Sequence, residues 1–427
     1  MKADDPLVEV FERNRAVWEH KKVLIAGQIT SMQILPQLIG TEQAWVVTDN
    51  FETAQGLSAM MGAKLGRSDF ESITRKHVHL IFADCADERL KEHIEPVEVL
   101  VLFLNKTKSL SQNLLFSLQD HLTPGGTILL IGANSMGGKS ADSLVKGKAD
   151  CYKLDTARKC TVFSAVPHEG ARFASPGALR TVSYGGLELE QSHGLFSQGE
   201  LDGGTLMLLN AMHRDLSITP PEPAATDAAG QAGSASGASC AAFNACGKDA
   251  GPAGLAPDLS ATKLQSLPQC TIAPTDPVLD LGCGSGIIGL SLAARGLTSV
   301  VCSDISATAL RAAQRNAASN GQDIKVMAAN MLPEAGDFEA AGISIPGGKF
   351  KVIATNPPFH QGASRTTAQT LNMIAHAREH LTADGVLYLV GNNCLHYEEP
   401  LNEAFDKVEI LASSTKFTVF KASASKD

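Results

Sequence analysis

The sequence lacks most of what would place a protein in a membrane, outside the cell, or on a nucleic acid by charge alone. No apolar run approaches the roughly 20 residues that span a bilayer. The opening residues, Met1-Lys2-Ala3-Asp4-Asp5, carry no basic patch leading into an apolar core, so no secretory signal is expected. Nine cysteines occur, none in a CxxC pair or at zinc-like spacing, and the closest two, Cys240 and Cys246, fall in a low-complexity stretch. Reduced thiols in a cytoplasmic protein without a metal are the expectation. Positive charge is short as well: the net charge of −9 argues against coating nucleic acid by bulk electrostatics. One local exception carries Lys139, Lys146, Lys148, Lys153, Arg158 and Lys159 against Asp142, Asp150 and Asp155, a pattern that a solvated mixed-charge face also explains.

What is present is ordinary globular composition, 44% hydrophobic and 19% charged, in 427 residues, which is long enough for two domains. The chain also repeats itself. His121-Leu122-Thr123-Pro124-Gly125-Gly126-Thr127-Ile128-Leu129-Leu130-Ile131-Gly132-Ala133-Asn134 returns as His380-Leu381-Thr382-Ala383-Asp384-Gly385-Val386-Leu387-Tyr388-Leu389-Val390-Gly391-Asn392-Asn393. In each, a helix ends, a glycine-containing turn follows, and an apolar strand runs on to an asparagine. Apolar strands also lie upstream, at Val99–Leu104 and Val352–Ala354. Such order predicts parallel sheets with right-handed crossovers in both halves. Between the halves, an Ala/Gly/Ser/Pro-rich stretch from about Pro220 to Ala256 is expected to be a flexible insertion.

The halves differ where chemistry would sit. Asn356-Pro357-Pro358-Phe359-His360 follows the β-branched run Phe350–Thr355. Two prolines cannot extend a ladder, and they hold the residue before them extended, so Asn356 is expected at the carboxyl end of a strand. Open α/β sheets bind ligands there. The Asn356 amide oxygen and the Pro357 carbonyl would form a two-acceptor clamp for a planar amine, with Phe359 to stack on it. The first copy reads Asn105-Lys106-Thr107-Lys108 at this place. It also has one glycine, Gly27, after its first strand and no glycine-rich turn, although its second strand still ends in the acid Asp49.

The second copy has the turn: Asp280-Leu281-Gly282-Cys283-Gly284-Ser285-Gly286 closes a strand and opens a helix. Its glycines let backbone approach a ligand, and Asp280 suits a sulfonium or α-amino group better than a pyrophosphate. Asp304 ends the next strand 24 residues on (304 − 280), placed for ribose hydroxyls. Asn330 follows a third strand, where it could meet adenine or simply form a turn. By contrast, Gly132–Ser140 resembles a nucleotide-binding P-loop but is out of register, and reads as a strand exit. His193, His376 and His380 read as packing or surface histidines.

On these residues the chain resembles the class I S-adenosylmethionine-dependent methyltransferases, and within them the RsmC/RlmG ribosomal RNA guanine-N2 family. Phe196-Ser197-Gln198-Gly199-Glu200-Leu201-Asp202-Gly203-Gly204 carries the likeness further, and Leu154–Cys160 looks like that family's link out of a degenerate first domain. The resemblance implies an α/β fold of two tandem Rossmann-like domains: a degenerate one at 1–170, and a catalytic one at 171–427 with an insertion at about 217–266. It implies S-adenosylmethionine bound by Asp280, Gly282, Gly284, Gly286, Asp304, Ile305, Asn330, Met331, Phe196 and Asp202. Asn356, Pro357 and Phe359 would then catalyse methyl transfer to a guanine N2, with Asn356, Phe359 and His360 on the substrate. The expected partner of a monomer is ribosomal RNA, 16S before 23S; a protein glutamine fits the same clamp.

Overall fold

The computed structural model describes residues 5–195, 200–218, 270–357 and 364–423. The first half builds an eight-stranded sheet from β1 (Lys22–Gly27), β2 (Gln43–Thr48), β3 (Glu71–Arg75), β4 (Val78–Phe82), β5 (Val97–Phe103), β6 (Leu122–Ala133), β7 (Ala149–Ala157) and β8 (Cys160–Pro167). Its order is β3-β4-β2-β1-β5-β6-β8-β7, with β4, β2, β1, β5 and β6 parallel and the outer strands antiparallel. Two short pairs follow: a hairpin of β9 (Arg180–Tyr184) and β10 (Leu187–Gln191), and a parallel pair of β11 (Leu216–Ile218) and β12 (Cys270–Ile272). The second half builds a seven-stranded sheet from β13 (Val278–Leu281), β14 (Val300–Asp304), β15 (Lys325–Ala328), β16 (Phe350–Thr355), β17 (Leu381–Asn392), β18 (Lys407–Ser413) and β19 (Phe417–Ser423).

This second sheet runs β15-β14-β13-β16-β17-β19-β18. With β3 set aside, both sheets share one strand order, 3-2-1-4-5-7-6, and the repeat seen in the sequence is a repeat of topology. Parallel strands buried on both faces need continuous apolar runs. Accordingly Val23 and Ile25 of β1 enter one core cluster while Leu24 and Ala26 enter another across the sheet. The paired histidines of the repeat, His121 and His380, are both buried, and desolvation lowers the pKa of each. They are packing groups at the same turn of two sheets.

The halves are not beads on a string. Phe51, Ala54, Leu65 and Phe82 of the first half share one apolar cluster with Ile287, Leu290 and Leu310 of the second. Backbone bonds cross as well, from Phe51 N–H to the Ile305 carbonyl at 2.8 Å and from Ala307 N–H to the Asp49 carbonyl at 2.8 Å.

One sequence expectation changes in detail. Leu154–Cys160 is not a link: it covers the end of β7 and the turn into β8, a hairpin inside the first sheet. Its turn residues Arg158 and Lys159 both have positive φ, 46° and 63°, as a tight hairpin turn requires. Gly and Asn normally mark such a turn, and their absence hid it. Gly132–Ser140 is a strand exit, as expected, continuing from β6 into short 3₁₀ turns. The low-complexity stretch lies outside the described residues.

Candidate active site

β16 ends at Thr355, whose register partner in β13 is Leu281. The Thr355 hydroxyl donates to the Leu281 carbonyl at 2.8 Å. Asn356 and the glycine turn after Leu281 are therefore neighbours at adjacent strand ends. The Asn356 amide nitrogen donates to Asp202 Oδ2 at 2.9 Å and to Thr205 Oγ1 at 2.7 Å. A carboxylate only accepts, so this pairing fixes which end of the amide is nitrogen. The other end, Asn356 Oδ1, is buried and has no partner among the described residues. Leaving a buried acceptor unmet costs about 1–3 kcal/mol. A group held this way by two neighbours is an acceptor waiting for a donor. Pro357 behind it is buried.

Asp202 reaches this place as the N-cap of helix Gly203–Asp215, where the same Oδ2 accepts the Thr205 N–H at 2.9 Å. The resemblance placed Asp202 beside the cofactor; the structure sets its carboxylate against the clamp. Thr205 was not foreseen. Asp202-Gly203-Gly204-Thr205 announces a helix start, but nothing local announces a partner 151 residues away.

In the turn, Gly282, Gly284 and Gly286 all have positive φ, at 73°, 54° and 84°. A Cβ on Gly282 or Gly284 would meet nothing within 4 Å, whereas one on Gly286 would sit 2.9 Å from Ala313 Cβ. Two glycines thus line open space and the third lets a helix pack. Gly284 N–H donates to Asp304 Oδ2 at 3.0 Å, joining the turn to the end of β14. Asp280 is fully buried; its Oδ2 accepts from Gly289 N–H at 2.8 Å and its Oδ1 has no partner among the described residues. Burial pushes its carboxyl up to about 7, opposed by the Gly289 bond and helped by the charge of Asp304. Asp304 is raised too, chiefly by desolvation, although it keeps partial solvent contact and accepts backbone N–H bonds that oppose the rise.

Ala329 N–H donates to the Asp304 carbonyl at 3.0 Å, so Asn330 and Met331 follow directly on the acid. Asn330 is exposed, and its Oδ1 accepts from Gln369 at 3.4 Å. Met331 holds a left-handed φ of 63°, and Ile305 lends its carbonyl to Phe51. Phe196, Phe359 and His360 lie outside the described residues. Among the described residues no cluster could hold a metal, and every cysteine is free, with Cys394 exposed.

The matching end of the first sheet is a cleft of about 370 Å³ lined by Gly27, Asp49, Asp84 and Asn105. Ser306 and Thr308 of the second half also line it, and Asp49 Oδ2 accepts long bonds of 3.4 Å from both.

Orphaned acceptors at Asn356 and Asp280, an open glycine turn and a ribose-height acid suit a cationic donor nucleoside with a planar amine beside it. With the 3-2-1-4-5-7-6 sheet, they define a class I S-adenosylmethionine-dependent methyltransferase whose first domain is degenerate. The methyltransferase small domain matches residues 257–421 and its N-terminal counterpart residues 8–175. The Pseudoalteromonas atlantica ribosomal RNA small subunit methyltransferase C is 30% identical over 330 residues, 75% of each chain. The Escherichia coli O157:H7 protein of that name is 25% identical over 99% of this chain and 97% of its own. The chain belongs to the ribosomal RNA small subunit methyltransferase C family. In fold it matches the Thermus thermophilus 16S rRNA N2 G1207 methyltransferase (RsmC), solved with AdoMet and guanosine, at a TM-score of 0.64 and 18% identity, covering 98% of this chain and 92% of that one.

Proposed function

We propose that this chain methylates the exocyclic N2 of a guanine in 16S ribosomal RNA, acting as a cytoplasmic monomer. The observation that carries this is the Asn356 amide, locked by Asp202 and Thr205 with its oxygen buried and unpaired. S-adenosylmethionine, when bound, supplies a methyl group on a cationic sulfur. The guanine amine is a weak nucleophile because its lone pair is shared with the ring. Asn356 Oδ1 accepts one of its hydrogens and the Pro357 carbonyl the other, which favours a tetrahedral nitrogen with its lone pair aimed outward. Methyl transfer to that lone pair would leave a neutral thioether and one surplus amine proton, which would pass to water, so no strong general base is required of the chain. Positioning dominates such a step. Asp280 and Asp304 would hold the donor, and a paired guanine would have to leave its helix to enter.

The test is methyl transfer into ribosomal RNA or small subunits from a strain lacking the enzyme, with the modified nucleoside mapped by mass. Label in N2-methylguanosine of 16S RNA supports the assignment. Label in 23S RNA, or in protein glutamine, overturns it.

A further inference from the structure

We propose that Arg67, in the degenerate half, is a positioning residue for the cofactor pocket of the catalytic half, stapling both ends of the loop that carries Asn330 and Met331. This rests on the reading that these two residues flank the bound cofactor.

The staple has two arms. β15 is an edge strand of its sheet, so the backbone of Ala328 at its end has an open side. Arg67 fills it from both directions: its carbonyl accepts the Ala328 N–H at 2.7 Å, and its Nη1 donates to the Ala328 carbonyl at 2.9 Å. The other arm runs from Nη2 to Asp337, in the first turn of helix Ala335–Ala340, just past the loop. Asp337 simultaneously accepts the Glu334 N–H at 3.0 Å with its second oxygen, so the loop's exit is tied to the same carboxylate.

Between the arms sits Met331 at a φ of 63°. A non-glycine residue keeps such a conformation only where its surroundings impose it. The Arg67 side chain is only 12% exposed, and its guanidinium lies 5.1 Å over the Phe51 ring. Its pairing is therefore shielded, unlike that of a surface ion pair. Phe51 N–H in turn binds the carbonyl of Ile305, next to Asp304. Among the described residues, Phe51 and Arg67 of the first half thus reach the ends of β14 and β15, the strands that carry Asp304 and lead to Asn330. A lysine could satisfy one arm but not both, because only the planar guanidinium presents a fork of donors.

The test uses the full-length protein with R67K and with D337N, which breaks the pair from the other half and still offers an oxygen to Glu334. Cofactor affinity is measured by titration, KM for cofactor and for RNA separately from kcat, and unfolding by heat. Each variant should weaken cofactor binding and raise its KM about fivefold to twentyfold, the lower range of coupling between sites. RNA KM should not move and kcat should stay within about twofold, and the double variant should be no worse than either single, as for residues acting as one unit. Unchanged cofactor affinity in both variants, or a lower unfolding midpoint with unchanged affinity, overturns the proposal. A double alanine variant of Asn330 and Met331 separates the layers. If it binds cofactor normally, the reading beneath the proposal fails; if it binds weakly while R67K and D337N bind normally, only the role of Arg67 fails.

Discussion

The two sheets of this protein share a strand order and differ at the strand tips. At the end of β1, a Cβ on Gly27 would lie 2.1 Å from the Phe103 carbonyl, whereas one on Gly282, at the end of β13, would meet nothing within 4 Å. Where β16 hands over to Asn356 and Pro357, β5 hands over to Leu104 and Asn105, whose N–H is taken by Ser111 Oγ at 3.0 Å. The acid ending the second strand faces the glycine turn in one half, while its counterpart Asp49 faces hydroxyls of the other half. The interior of a doubly wound sheet is set by packing and survives. The tips are free to change, and there one half has an open glycine turn while the other has a cleft that meets the partner half through Asp49.

The sharpest way to break this comparison is to make one substitution in each half. N356A should lower kcat by about 10²- to 10³-fold, as for loss of one preorganised hydrogen-bonding group in a desolvated site, with cofactor affinity unchanged. N105A should leave transfer rates as they are. Equal losses in single-turnover assays would mean that the first cleft takes part in the chemistry.

G286A comes next. The left-handed φ costs an alanine about 1–2 kcal/mol, and the overlap with Ala313 adds about 1–3 kcal/mol. Cofactor affinity and the unfolding midpoint should fall together, in contrast to N356A. T205V is milder: it removes one partner of the Asn356 nitrogen and leaves Asp202. The amide can then turn, and kcat should drop about tenfold, within the roughly 1–3 kcal/mol of an unmet buried donor. A loss of stability without a loss of kcat would show that Thr205 serves only the helix start.

The smallest effect is in pH. A carboxyl raised to about 7 in the folded chain is favoured in its protonated form. Asp280 therefore adds stability to the free protein as pH falls from about 7 towards the ordinary carboxylate range, and that contribution is lost as pH rises through 7. A bound cation reverses the preference. Cofactor affinity should fall as pH drops below 7, with Asp280 contributing at most about tenfold per unit, and D280N should bind weakly with a shallower slope, the remainder coming from Asp304, whose carboxyl is also raised by burial. Titrations at pH 6, 7 and 8 decide this.

Much of this was legible in the sequence because it is local. Two prolines after a β-branched run mark Asn356, three spaced glycines mark the turn, and a repeated His-Leu-Thr entry to a strand marks the duplication. What stayed hidden depends on contacts across the chain. Asp202 and Asn356 are 154 positions apart, and Arg67 and Asp337 are 270 apart. No periodicity encodes such pairs. The hairpin of β7 and β8 was hidden for the opposite reason, a tight turn made from Arg158 and Lys159.

The short parallel pair of β11 and β12 has an evolutionary consequence. Ile218 and Ile272 are register partners, so the chain leaves the second half and rejoins it at one small ladder. For a flexible chain closed at such a ladder, each doubling of length costs only about 0.6 kcal/mol. Asp202 lies before the ladder and Asp280 after it, and neither has to shift. A change of length between the two strands can then be tolerated while Asn356 keeps its place at the end of β16.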